Sequence, residues 1–295
     1  MDQTPQCIVP AGDRCGEGVI WEEREQALYW TDINRFLIHR YDWATQSTRF
    51  WFFDEPVTTI GLTDRPGTLI VSLGSKLILW QPETDTRRDH GFVLPGTPAV
   101  RFNDGAVGPD GRLWIGSMRN NVLPTGEGSP AGGTDGKLFR VDRDGAVAVM
   151  LEGLGIANTM VWSPDGGTFY TADTLADAIW AFDLAAGPGT LSNQRPFLVD
   201  FGRGHPDGSQ IDADGRLWNC RYGGGCIVRV APGGAIDGIV EMPVTNITNC
   251  TFGGPDLKTL YITTAAGGPA ERLAGGLYAA AVDVPGRAEY RFPLA

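Results

Sequence analysis

The sequence predicts an all-β chain: one six-bladed β-propeller over residues 1–295, its ring closed by an N-terminal strand that joins the last blade. Three observations carry this. Gly and Pro cluster as PDG, DRPG and PGG between short apolar runs, which is turn chemistry between strands. One pattern recurs six times: a polar turn, then Leu or Phe followed by Trp, Tyr or Ile. A lone apolar stretch at the N-terminus has no unit of its own.

The recurring pattern reads EREQALYW, DRPGTLIV, GPDGRLWI, SPDGGTFY, DADGRLWN and GPDLKTLY. Its anchors are Leu28, Leu69, Leu113, Phe169, Leu217 and Leu260. Units of roughly forty residues made of short strands are the mark of propeller blades. Further strands follow the anchors: KLILWQP, KLFRVDRDG, AIWAFDL, CIVRVAPGG and GLYAAAVD, with RAEYRFPL at the end of the chain. QCIVP, residues 6–10, precedes the first unit. An open sheet edge invites aggregation, so this strand is expected to complete the last blade. The third unit is the longest. It holds NNVLPTGEGSPAGGTDG, residues 120–136, too polar and Gly-rich for a strand. Long loops in compact domains are often lids, and a cover over a substrate is expected.

Composition excludes several classes. Hydrophobic residues make up 42%, so the chain can bury a core. Its net charge of −11 argues against a nucleic-acid partner. No apolar run is long enough to suggest a membrane span. The N-terminal MDQTPQCIVPAGDRCGEG lacks a basic region followed by an apolar one, so no secretory signal is expected. The five cysteines are Cys7, Cys15, Cys220, Cys226 and Cys250. An odd number without CxxC spacing points to reduced thiols and a cytoplasmic setting. Cys220 and Cys226 flank RYGGG and are placed to face each other across a hairpin. The expected state is a monomer or weak homo-oligomer.

Ten or eleven residues before each anchor stands a polar residue: Glu17, Thr58, Asn103, Asn158, Asp207 and Asn249. In a propeller the first strand of each blade lines a central channel. Equivalent positions at the strand starts therefore converge on one mouth. The expected ring holds two carboxylates and three Asn, with no Lys or Arg. Converging carboxylates repel unless protonated or bridged by a cation. Oxygen-only donors suit hard divalent ions such as Ca²⁺, Mg²⁺ or Mn²⁺. Strand caps and bound channel water are the alternative use of such residues, and the count does not choose which of the six hold a metal.

At these residues the chain resembles the SMP-30/gluconolactonase family of six-bladed propellers over nearly its whole length. The likeness rests on GEG at Glu17, RFNDG from Arg101 to Gly105, DGRLWIGSM, ANT at Asn158, SPDGGTFYTADT, HPDG at Asp207, DADGRLW and FGGPDLKTLYITTA. It implies one divalent cation (Ca²⁺, Mn²⁺, Zn²⁺, Mg²⁺ or Fe²⁺) held by Glu17, Asn158 and Asp207, with Arg101 and Asn103 binding substrate. Three departures stand out. Thr159 follows Asn158 where the family usually has Gly. Asn121 stands where many members carry Glu, which alters a substrate contact. Cys15 replaces a common Leu.

The activity implied is hydrolysis of a sugar-acid lactone, such as gluconolactone, xylonolactone or arabinonolactone. Asp207 is the candidate general base; a role as ligand only stays open. Arg101, with five N–H donors, can bind lactone oxygens and hydroxyls. Asn103 can donate to and accept from hydroxyls. Strand alternation should turn Asp104 away from Asn103, so that it fixes backbone. His205, two before Asp207, is expected either to support the site or to be exposed. Two rivals remain: a metal-binding propeller without catalysis, and a metal-dependent esterase or phosphotriesterase.

Overall fold

The computed structural model describes residues 4–185 and 189–294. Every regular element in it is a strand. The strands form six sheets, each built of antiparallel strands that run outward from an inner strand in chain order, with one strand from each end of the chain added to two of them. The inner strands are Gly16–Glu22, Val57–Thr63, Val100–Val107, Ala157–Trp162, His205–Ile211 and Ile247–Gly253. Each touches the next around the ring, and the last touches the first. The six anchors all lie on second strands, as the repeat requires.

The strand Gln6–Val9 is the outermost strand of the last blade, with Cys7 opposite Tyr278. The ring thus closes on strands from both halves of the chain. Leu28, Trp30, Trp80, Trp114, Phe169, Trp218 and Phe252 fill the layers between blades and are almost wholly buried. The turn at Pro109-Asp110-Gly111 works as its chemistry predicts: Gly111 donates to the Gly108 carbonyl, and Gly111 takes a φ of 75°.

One hairpin corrects an expectation. Cys220 pairs with Ile227, whereas Cys226 pairs with Arg221. Neighbouring positions on a strand point to opposite faces, so the two thiols do not face each other. Every cysteine is free.

The C-terminal segment takes a path that no repeat announces. Arg291–Phe292 runs parallel to the second blade's inner strand, beside Leu62 and Thr63. Gly286 bridges to Asp212, and its N–H donates to the Leu257 carbonyl. These partners lie at or past the C-terminal ends of inner strands. The segment therefore crosses the channel at the end opposite the polar ring.

Candidate active site

All six ring positions sit at or beside a register shift in the inner strand. The shifts fall between Glu17 and Ile20, Val57 and Thr59, Phe102 and Gly105, Asn158 and Val161, and Pro206 and Ser209. The sixth falls between Ile247 and Asn249. A bulge re-aims side chains and breaks strict alternation. Here Asn103 reaches Asn158 while the next residue, Asp104, acts on Glu17 and Asp207.

That corrects the expectation for Asp104. It does fix backbone, accepting from the Gly105 N–H (2.9 Å) and the Thr159 N–H (2.8 Å). It also belongs to the central charge cluster, because its field acts on Glu17 and Asp207. Burial raises its own pKa to about 6. Burial also raises Glu17, with the Asp104 charge second, and it raises Asp207 well above the carboxylate range, with Glu17 and Asp104 adding. Three buried carboxyls at one mouth hold protons tightly unless a cation neutralises them.

The polar ring divides by task. Thr58 is turned to Ser72, 2.5 Å away. Asn249 acts as a donor, with its Nδ2 3.1 Å from Glu17, while its Oδ1 accepts from the Cys250 N–H. Gly208 is needed there, since a Cβ would lie 2.3 Å from the Asn249 side chain. Of the remaining positions, Glu17, Asn158 and Asp207 are the ones the family resemblance makes metal ligands, and all three are buried oxygen donors. The set fits a hard divalent cation by chemistry: two carboxylates whose charge burial opposes, and one amide oxygen. Among the described residues, His, Cys, Asp and Glu alone form no group of three that could hold a metal. The set depends on the Asn158 amide.

A chain of hydrogen bonds orients that amide. Arg101 Nη1 donates to Asn103 Oδ1 (2.9 Å), and Asn103 Nδ2 donates to Asn158 Oδ1 (3.0 Å). Asn158 Nδ2 donates to Thr174 Oγ1 (2.7 Å), which donates to the Pro206 carbonyl. Asn103 spends both amide hydrogens within the protein, the second on the Ala157 carbonyl. It links Arg101 to the ring, with only a lone pair of its oxygen to spare.

Thr159 is the odd residue. It is β-branched yet has a φ of 58°, the left-handed region that disfavours such side chains. Three contacts hold it: its N–H to Asp104, and its hydroxyl to the Asp207 carbonyl (2.6 Å) and Ser209 (2.8 Å). It ties blades three, four and five together. Gly18, at the matching place after Glu17, takes a φ of 55° without that cost.

Above the ring lies a cleft of about 620 Å³, within the range of small-molecule sites. It is lined by Arg14, Cys15, Asn34, Arg101, Tyr222 and the loop that contains Asn121. The loop reaches across the mouth to the first blade. There the Gly126 carbonyl accepts from Asn34 Nδ2 (2.9 Å) and Arg14 Nη1 (3.3 Å). Asn121 Oδ1 accepts from Arg101 Nε (3.2 Å) and Nη2 (2.8 Å). His205 is exposed, 3.9 Å from Asp177, and takes no part.

Sequence reasoning missed Arg14 and Asn34 of the first blade and Tyr222 of the fifth. It also missed the reach of Asp104. A signal existed for the latter: Gly follows Glu17, Asp104 and Asp207, and Gly inside a strand marks a bulge.

A propeller whose inner strands bring oxygen donors to one mouth beneath a covered cleft is a fold of small-molecule sites. The SMP-30/gluconolactonase/LRE-like family model matches residues 15–266, and the chain belongs to that family. It is 33% identical to pentonolactonase XacC of Haloferax volcanii, over 96% of each chain. It is also 33% identical to a 6-deoxy-6-sulfogluconolactonase of Pseudomonas putida, over 99% of each. A solved luciferin-regenerating enzyme superposes with a TM-score of 0.87 at 27% identity, over 98% of this chain and all of that one.

Proposed function

We propose that this chain is a lactonase that hydrolyses a sugar-acid lactone to the open acid with the help of one divalent cation. The observation that carries the reading is the buried Glu17, Asn158 and Asp207 set, linked through Asn103 to Arg101 in the wall of the cleft. Family membership and two lactonase relatives covering almost the whole chain support the lactonase class. When bound, a divalent cation supplies Lewis-acid polarisation of the ester carbonyl.

The chain's own residues do the rest. Asp207 takes the proton of the attacking water, whose oxygen adds to the ring carbonyl carbon. On collapse the ring C–O bond breaks, and the proton goes to the leaving alkoxide. Arg101 presents its remaining N–H to substrate oxygen. The loop across the mouth limits entry of bulk water.

The test is acid release from gluconolactone, xylonolactone, arabinonolactone and galactonolactone, with spontaneous opening subtracted. Stripping metal should abolish the enzymatic part, and Mn²⁺, Fe²⁺, Zn²⁺ or Ca²⁺ should restore it to different degrees. If no lactone, neutral or charged, opens faster than in metal-matched buffer, the reading is wrong.

A further inference from the structure

The cleft carries more positive charge than a neutral sugar requires. Arg101 is only 6% exposed. All four of its hydrogen bonds go to neutral oxygens: two to Asn121 Oδ1, one to the Phe102 carbonyl and one to Asn103 Oδ1. One Nη2 hydrogen is left over. Burial opposes its charge, and the nearby Glu17 and Asp207 carboxyls, which face the ring, only partly offset this. Arg14 stands at the rim of the same cleft, exposed, and its guanidinium also rests on a neutral oxygen, that of Gly126. Against these two guanidinium groups the cleft lining offers one carboxylate, Glu127.

Burial of the Arg101 guanidinium is offset only in part by carboxyls, so an anion that reaches it lowers the remaining cost, and the exposed Arg14 adds positive charge at the rim. Arg14, whose Nε and Nη2 are not used in its bond to Gly126, can meet a carboxylate or sulfonate with paired N–H donors, and Arg101 adds its one remaining N–H. Resting on the lactonase reading, we infer that the substrate is a sugar lactone bearing a second, anionic group, a carboxylate or sulfonate away from the ester. Arg14 and Arg101 hold that group at the rim while the ester carbonyl lies over Glu17, Asn158 and Asp207. Arg14 is then a specificity-determining residue.

The test compares D-glucono-1,4-lactone with D-glucaro-1,4-lactone, which share a ring and differ by a free carboxylate. The wild type should show at least a tenfold higher kcat/KM on the charged lactone, and added salt should shrink that ratio. Arg14→Ala should cut the ratio about tenfold, mainly through KM, while Arg14→Lys keeps most of it. Asn34→Ala, which removes the other contact to Gly126 but no charge, should leave the ratio as it is. Equal or faster opening of the neutral lactone would overturn the inference and leave the lactonase reading standing. No turnover of either, nor of the wider panel, would overturn both. A preference that survives Arg14→Ala unchanged would remove Arg14 from the role.

Discussion

The two ends of the central channel use buried carboxyls in opposite ways. At the mouth, Glu17, Asp104 and Asp207 crowd together: the Asp104 charge raises the proton affinity of Glu17, and both raise that of Asp207. Their surroundings open onto a cleft large enough for a ligand. At the other end stands Glu289, on the C-terminal segment. Its Oε1 accepts from Gln210 Nε2 (2.9 Å) and Thr251 Oγ1 (2.9 Å). Between the two ends lies an internal cavity of about 70 Å³, touched by Asp104 above and by Glu289 below. The far end is locked by Arg291, whose Nη1 and Nη2 grip the Glu22 carboxylate at 2.7 and 2.6 Å. The lesson is one of neighbours. The same residue type becomes a candidate reactive group where like charges converge and space is left, and a structural one where donors and a counter-ion close around it.

The largest effect expected is at the mouth. Asp207→Asn should lower kcat on the order of 10²-fold or more if the carboxylate takes the proton, with bound metal reduced as well. Steady-state kinetics and metal analysis of the purified variant read both quantities. A variant with wild-type kcat and metal content would erase the distinction between the ends.

Arg291→Ala should act at the other end and on stability instead. It leaves Glu22 buried and without its bidentate partner, at a loss of about 2–4 kcal/mol. Denaturant unfolding measures the loss, and the protein that remains folded should keep kcat within about threefold. A fall in kcat as deep as that of Asp207→Asn would mean that the far end governs the chemistry too.

The smallest effect depends on pH. Burial raises Glu289 to about 7 from an ordinary 4.5. Below the ordinary value both folded and unfolded chains hold the proton, so nothing is lost. From there up to about 7 the folded chain keeps a proton that the unfolded chain has released, and stability falls as pH rises. Glu289→Gln imitates the protonated form and keeps both accepted hydrogen bonds. The variant should therefore gain on the wild type across that window, by about 2–3 kcal/mol at most, and hold a constant lead above it. The mouth carboxyls titrate in both proteins and cancel in the comparison. Parallel unfolding curves at pH 5 and pH 8 would show that Glu289 is not held protonated.

The sequence by itself determined the blades. Turn chemistry and the anchors from Leu28 to Leu260 are local signals, and repetition multiplies them. It also placed Glu17, Asn103, Asn158 and Asp207 on one level, because equivalent positions in a closed ring must meet. It determined that Gln6–Val9 needed a partner, since a lone strand leaves its hydrogen bonds unmet. The tertiary structure alone decided how those side chains aim. Bulges brought Asp104 into the cluster against simple alternation, and side-chain hydrogen bonds made Asn249 a donor and Asn158 an oriented acceptor. It alone brought Arg14 and Asn34 of the first blade to the loop of the third, and Tyr222 of the fifth to the same cleft. It alone laid the C-terminal segment across the channel, on a two-residue pairing with Leu62 and Thr63. The physical reason is range: a strand and its turn are specified within a few residues, whereas a site is specified by contacts between residues that only ring closure brings together.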